Sequence, residues 1–148
     1  MAILQGSFVE DIAVGYPGME ADGELSNIIT RTLEAGTVGF GKPVYQGTND
    51  RGVVTTQNAN LMGFTIANKT LPVTDARPAD TYAAKDSIRV KGRGKIWVTA
   101  GAAVQDRQPV YLTAAGAITN VTTGNQAAPG WEFDDTAASG SPVRIVRR

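Results

Sequence analysis

Residues 86–99, DSIRVKGRGKIWVT, alternate basic and apolar side chains over most of their length. The basic members fall on every second position and are Arg89, Lys91, Arg93 and Lys95. The other parity is apolar and holds Ile88, Val90, Ile96 and Val98. Because successive side chains of a strand point to opposite faces, a continuous strand would line one face with cations and the other with apolar groups. A hairpin turn at Gly92, Arg93 and Gly94 would instead gather the same cations at its tip.

Outward from this stretch, the sequence keeps the same β character. Short runs rich in Val, Ile, Thr and aromatic residues recur roughly every eight to twelve residues, and turn-forming residues separate them. Besides the two runs starting at Asp86 and Lys95, they begin at Ile28, Lys42, Gly52, Leu61, Pro109, Ala117 and Pro142. This pattern predicts an all-β fold, a single β-sandwich or barrel over residues 28–148.

Turn chemistry supports these boundaries. Residues 49–52, NDRG, and residues 115–116, AG, each lie between two β-type runs, as hairpin turns do. Two longer connections are predicted to be loops, at residues 73–84 and at residues 124–130. In the second loop, Pro129 has no N–H to donate and is expected to interrupt any ladder.

The stretch before residue 28 has a different composition. Residues 1–27 contain no Lys or Arg, and their acidic residues are Glu10, Asp11, Glu20, Asp22 and Glu24. Their apolar residues follow neither a helical nor a strand period. We therefore expect an irregular, extended N-terminal arm over residues 1–27 that needs a surface to lie against. Because the arm and residues 89–95 have opposite charge, one hypothesis is that the arm reaches a basic patch on a neighbouring molecule.

The composition excludes several classes of function. The chain has no Cys and no His, so it lacks thiol nucleophiles, the commonest general base and the commonest transition-metal ligand. No GxSxG, SxxK or P-loop pattern occurs. The adjacent acids Glu10 with Asp11, and Asp134 with Asp135, would point apart on an extended chain and are expected in solvent. We predict no enzymatic activity, no cofactor and no metal site.

The charge balance bears on partners. The 14 basic and 14 acidic residues cancel, and without an excess of basic charge we predict no nucleic-acid partner. No signal peptide and no run of 18 apolar residues is present, so we expect a soluble product made in the cytoplasm, with no membrane partner.

At the level of segment order, the sequence resembles the cement, or capsid decoration, proteins of tailed bacteriophages. The pieces that carry the resemblance are AVGYPGMEAD from Ala13, ITRTLEAGTVGFGKPVYQGTND from Ile29, LMGFTIANKTL from Leu61, YAAKDSIRVKGRGKIWVTAGAAVQDRQPVYLT from Tyr82, AAGAITN from Ala114 and APGWEFDDTAASGSPVRIVRR from Ala128. Together they span nearly the whole chain. The resemblance implies a β-barrel or jelly-roll-like protein that binds the outer surface of the virion shell and ties major capsid protein subunits together.

Under this interpretation, the residues that contact a partner are predicted to lie in two places. They are Arg89, Lys91, Arg93, Lys95 and Trp97 on the basic stretch, and Glu10, Asp11, Glu20 and Asp22 on the arm. The alternatives are a solvated sheet face for the cations and simple packing for the tryptophan. The expected partners are the major capsid protein and further copies of this chain, in a closed dimer or trimer.

Two other functions compete with this one. A phage tail component or a carbohydrate-binding adhesion module would need aromatic residues clustered in a groove, and the ten aromatic residues are dispersed along the chain. A glycosidase-like enzyme would need two separated acids that converge in a cleft.

Overall fold

The computed structural model describes residues 14–148, and within them it contains eleven strands and no helix. The strands are β1 (Asn27–Leu33), β2 (Thr37–Gly39), β3 (Pro43–Gln46), β4 (Gly52–Val54), β5 (Leu61–Thr65), β6 (Thr81–Ala83), β7 (Ser87–Thr99), β8 (Pro109–Leu112), β9 (Ile118–Thr119), β10 (Gln126–Phe133) and β11 (Pro142–Arg147). The predicted all-β fold is confirmed.

A closed barrel of five strands forms around the first half of β7. The strand order is β1, β4, β3, β5 and β7, and β7 closes the ring by pairing with β1 as well. At the closure, Val90 is paired with Ile29 of β1 on one side and with Thr65 of β5 on the other. Only the pairing of β1 with β4 is parallel among these five strands.

The second half of β7 leaves the barrel and starts an extension of the sheet. It pairs with β11 from Gly94 to Thr99, and the extension continues through β10, β8 and β9. A separate ribbon joins β2 to β6. The long strand β7 is therefore shared by the barrel and the extension.

The structure selects the continuous-strand interpretation of the basic stretch, because β7 runs unbroken through Gly92, Arg93 and Gly94. Gly94 has a φ of +105°, and a Cβ there would lie 2.9 Å from the carbonyl oxygen of Glu24. A glycine is needed at this position because another segment of backbone lies directly against the strand.

Both predicted hairpin turns are confirmed. Residues 49–52 connect β3 to β4, where Gly52 N–H donates a hydrogen bond of 2.9 Å to the carbonyl of Asn49. Gly116, at a φ of +80°, turns the chain between β8 and β9.

The two predicted loops need correction. β10 runs through most of residues 124–130, because a bulge lets the strand pass Pro129: the register with β8 shifts between Ala127 and Glu132, and Gly130 has a φ of +78°. Within residues 73–84, the short strand β6 pairs with β2. A three-residue strand without alternation gives no periodic signal in the sequence.

The core has two parts. One lies around Phe64 and the extension, where the Phe64 and Trp131 rings meet edge to face at 4.8 Å between centroids. The other surrounds Leu33 and Tyr82, with Phe40 against Tyr82 at 5.2 Å. Such buried side chains supply most of the hydrophobic stabilisation, roughly 1.5–3 kcal/mol each.

Candidate functional site

Residues 14–26, here called the N-terminal segment, lie along the second half of β7. Gly18 N–H donates to the carbonyl of Trp97 at 2.8 Å, and Trp97 N–H donates to the carbonyl of Met19 at 2.9 Å. Ala21 N–H donates to the carbonyl of Lys95 at 3.2 Å. The expected irregular arm therefore has, in its described part, a surface to lie against, and that surface belongs to its own chain.

Small residues allow this close contact. A Cβ on Gly15 would lie 2.4 Å from Cδ1 of Trp97, and Gly18, with a φ of +84°, approaches the backbone nitrogen of Ala67. Trp97 is consequently covered by the segment, and the guanidinium of Arg144 lies 5.5 Å from its ring centroid. Within residues 14–148, Trp97 therefore packs against its own chain.

Lys91 is fully buried beneath the segment. Its Nζ lies 2.7 Å from Oε1 of Glu20, whose other carboxylate oxygen lies 3.7 Å from Arg89. A buried ammonium without a counter-ion is strongly unfavourable, so Glu20 compensates a charge that the barrel itself leaves unpaired.

Lys95 carries the second part of the contact. Its Nζ lies 2.9 Å from Asp134, 3.2 Å from Asp22 and 3.5 Å from Glu24. The hydrogen bond to Asp134 is the main reason that the pKa of Lys95 is raised above its ordinary value. Burial alone would raise the pKa of Asp22, but hydrogen bonds from the Glu24 backbone N–H and from Lys95 outweigh it and lower that pKa.

Arg148 adds three ion pairs next to Lys95. Arg148 reaches Glu24 at 2.9 Å, Glu132 at 3.0 Å and Asp134 at 3.4 Å. We call these two neighbouring groups of ion pairs together the ionic seam; it consists of Glu20, Asp22, Glu24, Arg89, Lys91, Lys95, Glu132, Asp134 and Arg148.

The adjacent acids at the end of β10 point apart, as expected, but neither is simply solvated. Asp134 belongs to the ionic seam, whereas Asp135 binds Arg144, with Oδ2 of Asp135 2.6 Å from Nε of the arginine. The sequence does not predict the ion pairs of these two acids or of Arg144 and Arg148. The two partners of each pair are distant in sequence or lie across a β connection, and no local pattern reveals such a pair.

The predicted contact residues thus divide into three groups. Glu20, Asp22, Lys91, Lys95 and Trp97 contact one another or their neighbours within the chain. Arg89 is half exposed, and Arg93 is exposed and has no ion-pair partner among residues 14–148. Glu10 and Asp11 lie outside the described residues.

The described residues offer little for chemistry on a small molecule. Across residues 14–148, no group of acidic side chains is arranged to hold a metal ion. The same stretch includes no helix with the length and apolar character needed to cross a membrane. Seven of its aromatic side chains are buried and dispersed between the two cores and the segment, which leaves no stacking platform for a sugar.

These features define a class: an all-β barrel protein whose charged side chains hold its own chain together. The comparison with protein families is specific. Residues 4–148 match the family described as structural cement protein (E217 gp24/Pam3 gp6), and the chain belongs to this phage cement family. This match confirms the resemblance found in the sequence, and with it a capsid-associated structural role.

The solved structures that are similar to this one include the following two. A chain of the structure entitled "The capsid of Myoviridae Phage XM1" has a TM-score of 0.71 and 16% identity, and the match covers 99% of this chain and 97% of that chain. The N base of the head fiber gp8.5 of bacteriophage phi29 has a TM-score of 0.49 and 12% identity, with coverage of 84% and 95%. The comparison with curated protein sequences gives no match.

Proposed function

We propose that the protein binds the outer surface of a tailed-phage head and stabilises contacts between neighbouring major capsid protein subunits. The observation that carries this proposal is the family match over residues 4–148, nearly the full chain. The structure supports it with an all-β body in which many charged groups pair within the chain, among them Lys91 with Glu20 and Lys95 with Asp134.

Stabilising a shell under outward pressure is a mechanical task. A molecule that bridges two subunits must bury surface on both of them, and separating the subunits then costs the free energy of that burial. The long strand β7 connects the parts of the molecule. Barrel strands pair with its first half, and the extension and the N-terminal segment lie along its second half. The result is one connected body that resists deformation.

The oligomeric state is also part of the proposal. A closed dimer or trimer would present the same contact several times, so that individually modest contacts add through a high effective concentration. Sedimentation equilibrium of the purified protein tests this: a defined dimer or trimer supports it, and a monomer at all concentrations opposes it.

Among the residues predicted to contact a partner, two exposed cations remain available. Arg93 and Arg89 project from β7 and would contact acidic groups on the shell or on a second copy. We propose that Glu10 and Asp11, upstream of the described residues, contact a basic patch on a neighbouring molecule.

The proposed function is tested by adding the purified protein to phage heads that lack it and measuring the bound amount after sedimentation. Saturation at a fixed ratio to shell subunits supports the proposal. An absence of binding, with the protein folded and the heads intact, would refute it.

A further inference from the structure

The N-terminal segment exposes several large apolar side chains, while its acids pair with cations of β7. Four of its large apolar residues are between 37% and 70% exposed, namely Val14, Tyr16, Met19 and Leu25. In the rest of residues 14–148, only Val73 and Val121 are large apolar residues with comparable exposure. Exposed apolar side chains are thus concentrated on one short segment.

An ordinary surface segment turns its large apolar groups inward, whereas Val14 and Leu25 are 70% and 60% exposed here. The cause is the ionic seam: Glu20 faces buried Lys91, and Asp22 and Glu24 face Lys95. With the acids held against β7, the side chains of Val14 and Leu25 are left in solvent. Large exposed apolar residues concentrated on one segment are candidates for an interaction site.

We infer that the exposed apolar side chains of the N-terminal segment contact an apolar surface of a major capsid subunit when the protein binds the capsid shell. This inference rests on the proposed function. It differs from the sequence-based hypothesis about the arm, because the acids Glu20 and Asp22 hold the segment to its own barrel and the apolar residues make the contact.

The size of the surface favours a shell over a second copy. Four side chains at these exposures bury a few hundred Å² at most, well below the roughly 800 Å² per partner of a stable pairwise interface. Two copies joined through this segment alone would therefore dissociate. On a shell, repeated contacts from one oligomer add, and small contacts suffice.

The sequence upstream of Val14 is also rich in apolar residues. Residues 1–13, MAILQGSFVEDIA, continue the apolar character with Ile3, Leu4, Phe8, Val9 and Ile12.

The first test compares two double variants in the head-binding measurement. V14S with L25N removes apolar groups from the segment, and Asn suits Leu25 because its φ is +32°. V73S with V121S removes exposed apolar groups elsewhere, at 68% and 49% exposure, and serves as the matched control. We expect V14S/L25N to bind heads at least about tenfold more weakly than wild type, since two lost apolar contacts are worth over 1.4 kcal/mol, and the control to bind as wild type does.

The outcomes separate this inference from the proposed function. If the wild type fails to bind, the proposed function fails. If the wild type binds and V14S/L25N binds equally well, the docking surface is refuted while the proposed function stands. If V14S/L25N instead lowers self-association of the free protein and leaves head binding unchanged, the segment covers a second copy and the inference is refuted.

A second measurement does not depend on the variants' stability. Because the chain has no cysteine, V14C and V73C each introduce a single thiol. We expect alkylation of V14C to slow at least about tenfold when the protein is bound to heads, and V73C to react at its free rate. Equal rates for V14C in the free and bound states would overturn the inference.

Discussion

Lys91 and Glu20 show how one buried charge fixes the position of a whole segment. The ammonium is completely buried beneath the N-terminal segment, where it pairs with Glu20, which lies 71 residues away in the sequence. The alternation in residues 86–99 correctly predicts that Lys91 lies on a strand. It does not predict the pairing with Glu20, because local spacing does not tell which cation another segment will cover.

At this scale, substitutions of Glu20 and of Lys91 are expected to lower the free energy of unfolding by different amounts. E20Q leaves Lys91 buried without a counter-ion, so we expect a loss of about 1–3 kcal/mol in the free energy of unfolding, less than for a fully buried pair because Glu20 is partly exposed. K91M removes the buried charge and lets Glu20 turn to water, so its cost should be smaller. Urea denaturation measures both, with D50N, an exposed acid outside the ionic seam, as the control. A larger loss for K91M than for E20Q would contradict this assignment.

A second residue, Asp86, should shape the acid stability of the protein. The hydrogen bonds from Arg77 are the main reason that its pKa is lowered. A carboxyl with a lowered pKa in the folded state stabilises the fold above its unfolded pKa, about 3.9, and this contribution is lost as the pH falls through the folded value.

We therefore expect D86N to lower stability at pH 7 and to flatten the fall in stability below about pH 4. Urea midpoints measured from about pH 2 to pH 7 test this, with D75N, at an exposed position, as the comparison. A parallel acid limb in wild type and D86N would contradict the role of this ion pair.

At the scale of elements, β7 is shared by the barrel and the extension. Whether a strand could be predicted depends on how far its structure relies on the strands that pair with it. Strands that alternate regularly or follow a clear turn, such as β7 and β8, are evident in the sequence. β10 is not, because Pro129 and Gly130 look like chain breakers and the bulge that accommodates them depends on β8. The contact between the N-terminal segment and β7 is a tertiary event that only the folded chain reveals.

The glycines of the segment allow this contact to be tested. G18A places a Cβ 2.7 Å from the nitrogen of Ala67 at a φ of +84°, whereas Gly23 has nothing within 4 Å. We expect G18A to loosen the segment at a cost of about 1–3 kcal/mol and G23A to have little effect. Hydrogen exchange at Trp97 N–H, which donates to Met19, should accelerate in G18A only. Unchanged exchange in G18A would show that the segment is held by other contacts.

At the scale of the whole molecule, the shared strand predicts cooperative unfolding. β7 belongs to the barrel and to the extension, so neither part can lose its structure without disrupting the other. W131F leaves Trp97 as a reporter of the segment contact, and W97F leaves Trp131 as a reporter of the core. We expect each variant's fluorescence transition in urea to coincide with its transition by circular dichroism. Clearly separated transitions within either variant would show that the barrel and the extension unfold independently.

The central claim is that this protein stabilises the phage head by adhesion between neighbouring subunits. The most direct measurement is the temperature at which heads release their DNA, recorded for heads that lack the protein and for the same heads saturated with it. The claim predicts a higher release temperature that rises with occupancy until the sites are filled. A release temperature that does not change at full occupancy would contradict it.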